Sequence, residues 1–201
     1  MSDKSGIHHT AIIGYKAQRK IANRELSVAK GAKVQSGSVI YEGSRIGGNL
    51  QTGHNVVIRE ENKIGNNFKI WNNSVIDYGC KIGSNVKIHC NCYIAQFTTI
   101  EDDVFIAPGV TFANDLHPGC GLSKKCMRGP YIERGVKIGV NVTVLPFVRI
   151  GKDSLIGAGS VVTKDVPAGS LVYGNPGRVV KTVKELKCIT GINKKGKPYA
   201  S

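Results

Sequence analysis

Aromatic residues are scarce in this 201-residue chain, at 6%, and acids are outnumbered by bases, 14 against 28. No stretch approaches the roughly 20 apolar residues of a membrane-spanning helix. The start, MSDKSGIHHTAIIGYK, lacks the apolar core of a secretory signal. The last two absences set the expectation of a cytoplasmic protein. Its six cysteines are then reduced thiols by default, with metal binding as the lesser option. The formal charge of +14 favours anionic partners without choosing among CoA phosphates, nucleotide sugars, nucleic acid and anionic lipid. What is plentiful is glycine, 25 residues, which with so few aromatics points to many tight corners and thin side chains, as in a β-solenoid.

Internal periodicity decides the fold. Stepping by six from Ile64 gives Ile70, Ile76, Ile82, Ile88, Ile94, Ile100, Ile106 and Phe112. Stepping back gives Ile58, Thr52, Ile46, Ile40, Val34 and Val28, with Thr52 the single polar member. After a break the series resumes as Ile132, Ile138, Val144, Ile150, Ile156 and Val162. Two residues earlier, over 74–110 and 136–160, small or branched residues recur, such as Ser74, Cys80, Val86, Cys92, Val136 and Ser160. Two inward positions separated by one outward residue make a short strand, and the rest of each hexad turns a corner. Glycine follows the aliphatic residue at Gly47, Gly65, Gly83, Gly139, Gly151 and Gly157, where the chain is expected to change direction. Three hexads per triangular turn predict about seven coils, a prism roughly 34 Å tall at strand spacing. Tyr93 reads as a free outward position beside the inward Ile94.

The pattern over about residues 28 to 180 resembles the hexapeptide-repeat acyltransferases. That resemblance implies a left-handed parallel β-helix, assembly as a homotrimer, and acetyl-CoA as acyl donor with no metal required. The stretch Ile100-Glu101-Asp102-Asp103-Val104-Phe105, with the Asn114 that follows Phe112-Ala113, is most similar to the sugar-nucleotide N-acetyltransferases.

Three segments follow: a lead-in over 1–27 with the basic residues Lys16, Arg19, Lys20 and Arg24; the coil over 28–167; and an exit over 168–201. The exit is read as a strand, a short helix over 179–186 and a mobile tail, KKGKPYAS. Within the coil, a spacing of 20 from Phe112 to Ile132, not a multiple of six, interrupts the hexads and predicts a protruding loop over 115–131.

Acyl transfer needs a base for the acceptor proton, and histidine is the default. His8 and His9 lie outside the repeat, and His54 reads as a solvated corner residue. His89, in Lys87-Ile88-His89-Cys90-Asn91-Cys92, puts a bulky ring where a small residue often stands. His117, in Asn114-Asp115-Leu116-His117-Pro118, matches the His-Pro pair that the maltose and galactoside acetyltransferases use as base. His89 and His117 are therefore the catalytic candidates, and Asn91, Asn114 and Asp115 the residues expected to orient the acceptor. A solvated side chain, an asparagine at a turn and an Asx turn opening the loop remain the alternatives for these three. By resemblance, Gly157-Ala158-Gly159 and the exit motif Tyr173-Gly174-Asn175-Pro176-Gly177-Arg178 form the donor site, with Lys164 and Arg178 on CoA phosphates. His117, Cys120 and Cys126 supply too few ligands for a zinc site to be expected, and a disulfide between the two cysteines stays open.

The leading expectation is N-acetylation of a nucleotide-linked amino sugar for surface glycan synthesis, which implies a small-molecule partner and neither nucleic acid nor a membrane. O-acetylation of a simple sugar is the alternative. A γ-type carbonic anhydrase would need two zinc histidines five residues apart, and here the spacings are 35 and 28. A noncatalytic scaffold would have no affinity for CoA.

Overall fold

The computed structural model describes residues 6–188 together with residues 190 and 198. The expected mobile tail, 194–201, lies outside the described residues apart from residue 198. The chain winds as a left-handed parallel β-helix whose three sheets hold eight, seven and eight strands. The first face runs from Ile12–Tyr15 through Val57–Ile58, Tyr93–Ile94 and Thr111–Phe112 to Val161–Val162. The second runs from Ser27–Val28 through Lys63–Ile64 to Arg149–Ile150, and the third from Gln51–Thr52 through Lys87–Ile88 to Leu155–Ile156 and Ser170–Tyr173. This is about one coil more than the hexads predict, because Ile12–Tyr15 adds a strand to the first face and Ser170–Tyr173 one to the third.

Each two-residue strand turns its first side chain outward and its second inward. The inward residues pair in register, Ile76 with Ile94 and Ile88 with Ile106, and all four are fully buried. Complete burial of a side chain that size stabilises by about 1.5–3 kcal/mol, so the aliphatic series dominates the packing. Thr52, the polar member, is buried and satisfied: the Gln35 N–H donates to its hydroxyl at 3.0 Å.

Two expectations need correction. The glycines after the aliphatic residues do not supply the left-handed turn; that conformation falls two residues later, at Asn49, Asn67 and Asn85. Gly65 is required for close approach instead, since a Cβ there would lie 2.7 Å from the Gly83 carbonyl carbon of the next coil. The helix expected over 179–186 shrinks to a single 3-10 turn at Val183–Glu185. Arg178–Thr182, rich in β-branched residues, pairs antiparallel with Ser170–Tyr173, which otherwise would leave an open edge.

Candidate functional site

The interruption in the hexads leaves the prism where the first face turns into the second, here termed the loop corner. The Arg128 N–H donates to the Asn114 carbonyl at 2.8 Å and closes the loop's base. A short helix, Ser123–Cys126, lies within the loop. Asp115 accepts from the His117 N–H at 2.9 Å and from the Ser123 hydroxyl. These two bonds, the hydroxyl's foremost, hold its carboxyl below the usual range. Asp115 thus forms an Asx turn at the loop's start. His117 is exposed, as are the apolar side chains of Leu116 and Leu122.

Beneath the loop lies a polar cluster that no hexad position announces. Asp77 is buried and accepts four bonds: from Gln96 Nε2 at 2.6 Å, Tyr93 OH at 2.8 Å, the Tyr78 N–H at 2.8 Å and Arg59 Nη1 at 3.0 Å. Asn114 Nδ2 donates to Gln96 Oε1 at 2.6 Å. A carboxylate only accepts, so Asp77 fixes which end of the Gln96 amide faces it, and Gln96 in turn fixes Asn114. The Asn114 Oδ1 is thereby left as the acceptor at the foot of the loop. Arg59 continues the network to Glu60, which Arg19 also meets at 2.6 Å. Burial pushes the Glu60 carboxyl up, but a backbone N–H and the two guanidinium groups outweigh it and hold it low. Arg19 and Arg24 of the basic lead-in thus meet acids of the same chain, Arg24 pairing with Glu42. The signal was present at the coil repeat of 18 residues, which separates Arg59 from Asp77 and Gln96 from Asn114.

Two phenylalanines bracket the loop. Phe97 and Phe147, both exposed, hold φ of 61° and 65°, a conformation that bulky side chains rarely adopt and that costs about 1–2 kcal/mol. Phe97 packs edge-on against Tyr78 at 5.4 Å.

The opposite edge of the first face, the histidine corner, carries His89. Its ring lies 5.2 Å from Phe105, and burial together with the nearby Lys87 charge keeps its pKa below the ordinary histidine range. Asn91 stands exposed at the same corner in the left-handed conformation, φ 58°. Three coils above are Gly157, Ala158 and Gly159. Gly157 is buried under the Tyr173 ring, which a Cβ would overlap, while Ala158 and Gly159 are exposed. Arg178, paired with Tyr173 across the exit hairpin, is exposed near this corner, whereas Lys164 is exposed at the loop corner. The chain therefore sorts its candidates onto two edges: His89, Asn91, Gly157, Ala158, Gly159 and Arg178 on one, Asn114, Asp115, His117 and Lys164 on the other. The first face separates them.

Cys120 and Cys126 are free and exposed, and among the described residues no cluster of metal-ligating side chains forms. Cys80 and Cys92 are buried, and burial pushes the Cys80 thiol up to about 12, so it fills space and is unreactive.

A coil of parallel two-residue strands with a loop thrown from one corner defines a hexapeptide β-helix protein. The bacterial transferase hexapeptide model matches residues 63–96, 79–114 and 129–164, so the chain carries that repeat over these segments. It is 38% identical over 105 residues to a galactoside O-acetyltransferase of Lactococcus lactis, covering 45% of this chain and 49% of that protein. It is 46% identical over 56 residues to a 2,3,4,5-tetrahydropyridine-2,6-dicarboxylate N-acetyltransferase of Staphylococcus aureus, covering 28% and 23%. The chain thus spans about half the length of one curated relative and a quarter of the other. A solved UDP-N-acetylglucosamine acyltransferase from Bacteroides fragilis shares the fold at TM-score 0.67 and 19% identity, over 90% of this chain and 74% of that one.

Proposed function

We propose that this protein is an acetyl-CoA-dependent acyltransferase that N-acetylates a nucleotide-linked amino sugar, in the cytoplasm, for surface glycan synthesis. Its repeat and the two acetyltransferases it matches support acyl transfer, one of those relatives acting on oxygen and the other on nitrogen by their names. The observation that carries the acceptor assignment is Asn114: its amide nitrogen is committed to Gln96, which Asp77 fixes, so its side-chain oxygen is the end left to accept from a sugar amine.

The working unit is a homotrimer built on the first face. Its outward column, Val39, Val57, Val75, Tyr93, Thr111, Thr143 and Val161, is uncharged, and the exposed Leu116 and Leu122 of the loop need a neighbour to cover them. Packing copies through this face brings the histidine corner of one subunit to the loop corner of the next, joining the two sets of candidates. Ala158, Gly159, Arg178 and, from the neighbour, Lys164 fit a CoA chain: small residues for the pantetheine arm, cations for phosphates. His117 or His89 takes the acceptor proton as nitrogen attacks the thioester carbon, the new C–N bond forms, and the C–S bond breaks to release the CoA thiol.

O-acetylation of a simple sugar is the second reading, favoured by His117-Pro118 and by the longer match to the galactoside O-acetyltransferase. Treating the acetylated product with hydroxylamine separates the two. An amide survives, whereas loss of the acetyl group overturns the amine assignment.

A further inference from the structure

The acids of the lower coils are segregated. Between residues 27 and 95 there are four, Glu42, Glu60, Glu61 and Asp77, and all lie at the loop corner, each paired with Arg19, Arg24 or Arg59. The second and third faces of these coils are left with cations alone. Arg45, Lys63 and Lys81 stack in register on adjacent strands of the second face. On the third, Lys33, Gln51, Lys69 and Lys87 form the matching column. None of these six cations makes an ion pair among the described residues. Like charges directly opposite in a sheet are destabilising, so this arrangement costs stability unless an anion lies over it.

Between the two columns runs the amide corner. Asn49 Nδ2 donates to Asn67 Oδ1, Asn67 Nδ2 to Asn85 Oδ1, and Asn85 Nδ2 to Asp103, each at 3.0 Å. Each of these amide nitrogens keeps a second N–H, and all three asparagines are exposed. The ladder ends at the acidic run Glu101-Asp102-Asp103, which bounds the cationic surface from above.

We propose that the amide corner and its two flanking columns bind an extended acidic glycan, laid along the prism axis. The surface offers hydrogen-bond donors and positive charge, which suit carboxylates and hydroxyls. From Lys33 to Lys87 it spans three strand spacings, about 14 Å, longer than a diphosphate needs. Along this span the outward positions carry no aromatic ring, Phe105 standing one strand beyond Lys87, so a run of nucleobases has no stacking platform and a bilayer has no apolar wedge to receive. The corner lies opposite the first face, so it stays open in the trimer. Binding here is independent of the acyl-transfer reading.

The test is fluorescence anisotropy with labelled oligogalacturonates on the whole protein at defined salt. The dodecamer is expected to bind with a log–log salt dependence and the trimer about tenfold more weakly. Lys63→Glu with Lys81→Glu, or Lys69→Glu with Lys87→Glu should the first pair misfold, is expected to weaken the dodecamer at least about tenfold. Melting temperature should not fall, since the repulsion in the column is relieved, and oligomer mass should stay unchanged. The proposal fails if no binding occurs, if folded charge-reversed variants bind as wild type, or if dodecathymidylate or phosphatidylglycerol vesicles bind more tightly than the dodecamer.

Discussion

Tyr93 donates its phenolic hydrogen to Asp77 Oδ2 at 2.8 Å, tying the outward column of the first face to the buried carboxylate of the loop corner. Burial, then that bond to Asp77, pushes the phenol well above its ordinary pKa. Tyr93 is therefore not the free outward residue that its place in the hexad suggests. Tyr93→Phe leaves Asp77 with three donors and is expected to cost about 1.5–3 kcal/mol, the worth of a bond to a charged group. Asp77→Leu leaves Arg59 with Glu60 alone and takes the acceptor from Tyr93, Gln96 and the Tyr78 N–H, and should cost more than Tyr93→Phe. Urea unfolding measures both, and a Tyr93→Phe variant as stable as wild type would contradict the role given to this bond.

The coil was legible in the sequence because one inward position per hexad is confined to large apolar residues, and a solenoid repeats that constraint at every step. The loop was legible for the same reason, as an interruption. Asp77, Gln96 and Tyr93 were not, because a six-residue frame separates inward from outward and ignores which corner an outward residue occupies. Only the 18-residue coil repeat places Arg59 over Asp77 and Gln96 over Asn114. The exit helix was misread for a related reason. Val179, Val180 and Thr182 follow a spacing compatible with a helix, but the edge of Ser170–Tyr173 supplies a pairing partner that local sequence does not reveal.

The lowered pKa of His89 has a signed consequence. The unfolded chain takes up this proton near pH 6.5, whereas the folded chain holds it off to a lower pH. Stability from this group is therefore full above pH 6.5 and falls as pH drops through and below that value. Glu60, also lowered, adds a second loss once pH falls below about 4.5. Unfolding midpoints from pH 7.5 to 5 should decline in wild type and decline less in His89→Asn. Equal slopes would remove His89 as the cause.

For catalysis, His89→Asn and His117→Asn, assayed separately at saturating acetyl-CoA, should include at least one fall in turnover of roughly two to four orders of magnitude. If both fall, mixing the two inactive proteins under exchange conditions should restore part of the activity, because the sites of a hybrid trimer draw their two edges from different subunits. Near wild-type turnover in both variants would leave an enzyme that works by positioning the amine.

Arg178 is exposed on the exit hairpin, with its guanidinium on the Gly177 carbonyl at 3.0 Å. Removing one charge-assisted phosphate contact is worth about 1.5–3 kcal/mol, so Arg178→Ala should weaken acetyl-CoA roughly ten- to hundredfold by calorimetry. Unchanged affinity would move the donor site elsewhere.

The central claim is acyl transfer itself, and thiol release from acetyl-CoA across a panel of nucleotide-linked amino sugars tests it most directly. At least one acceptor should release CoA and gain the mass of one acetyl group, with the product stable to hydroxylamine. Absence of both acetyl-CoA binding and thiol release with every amino sugar and simple sugar tried would contradict the account.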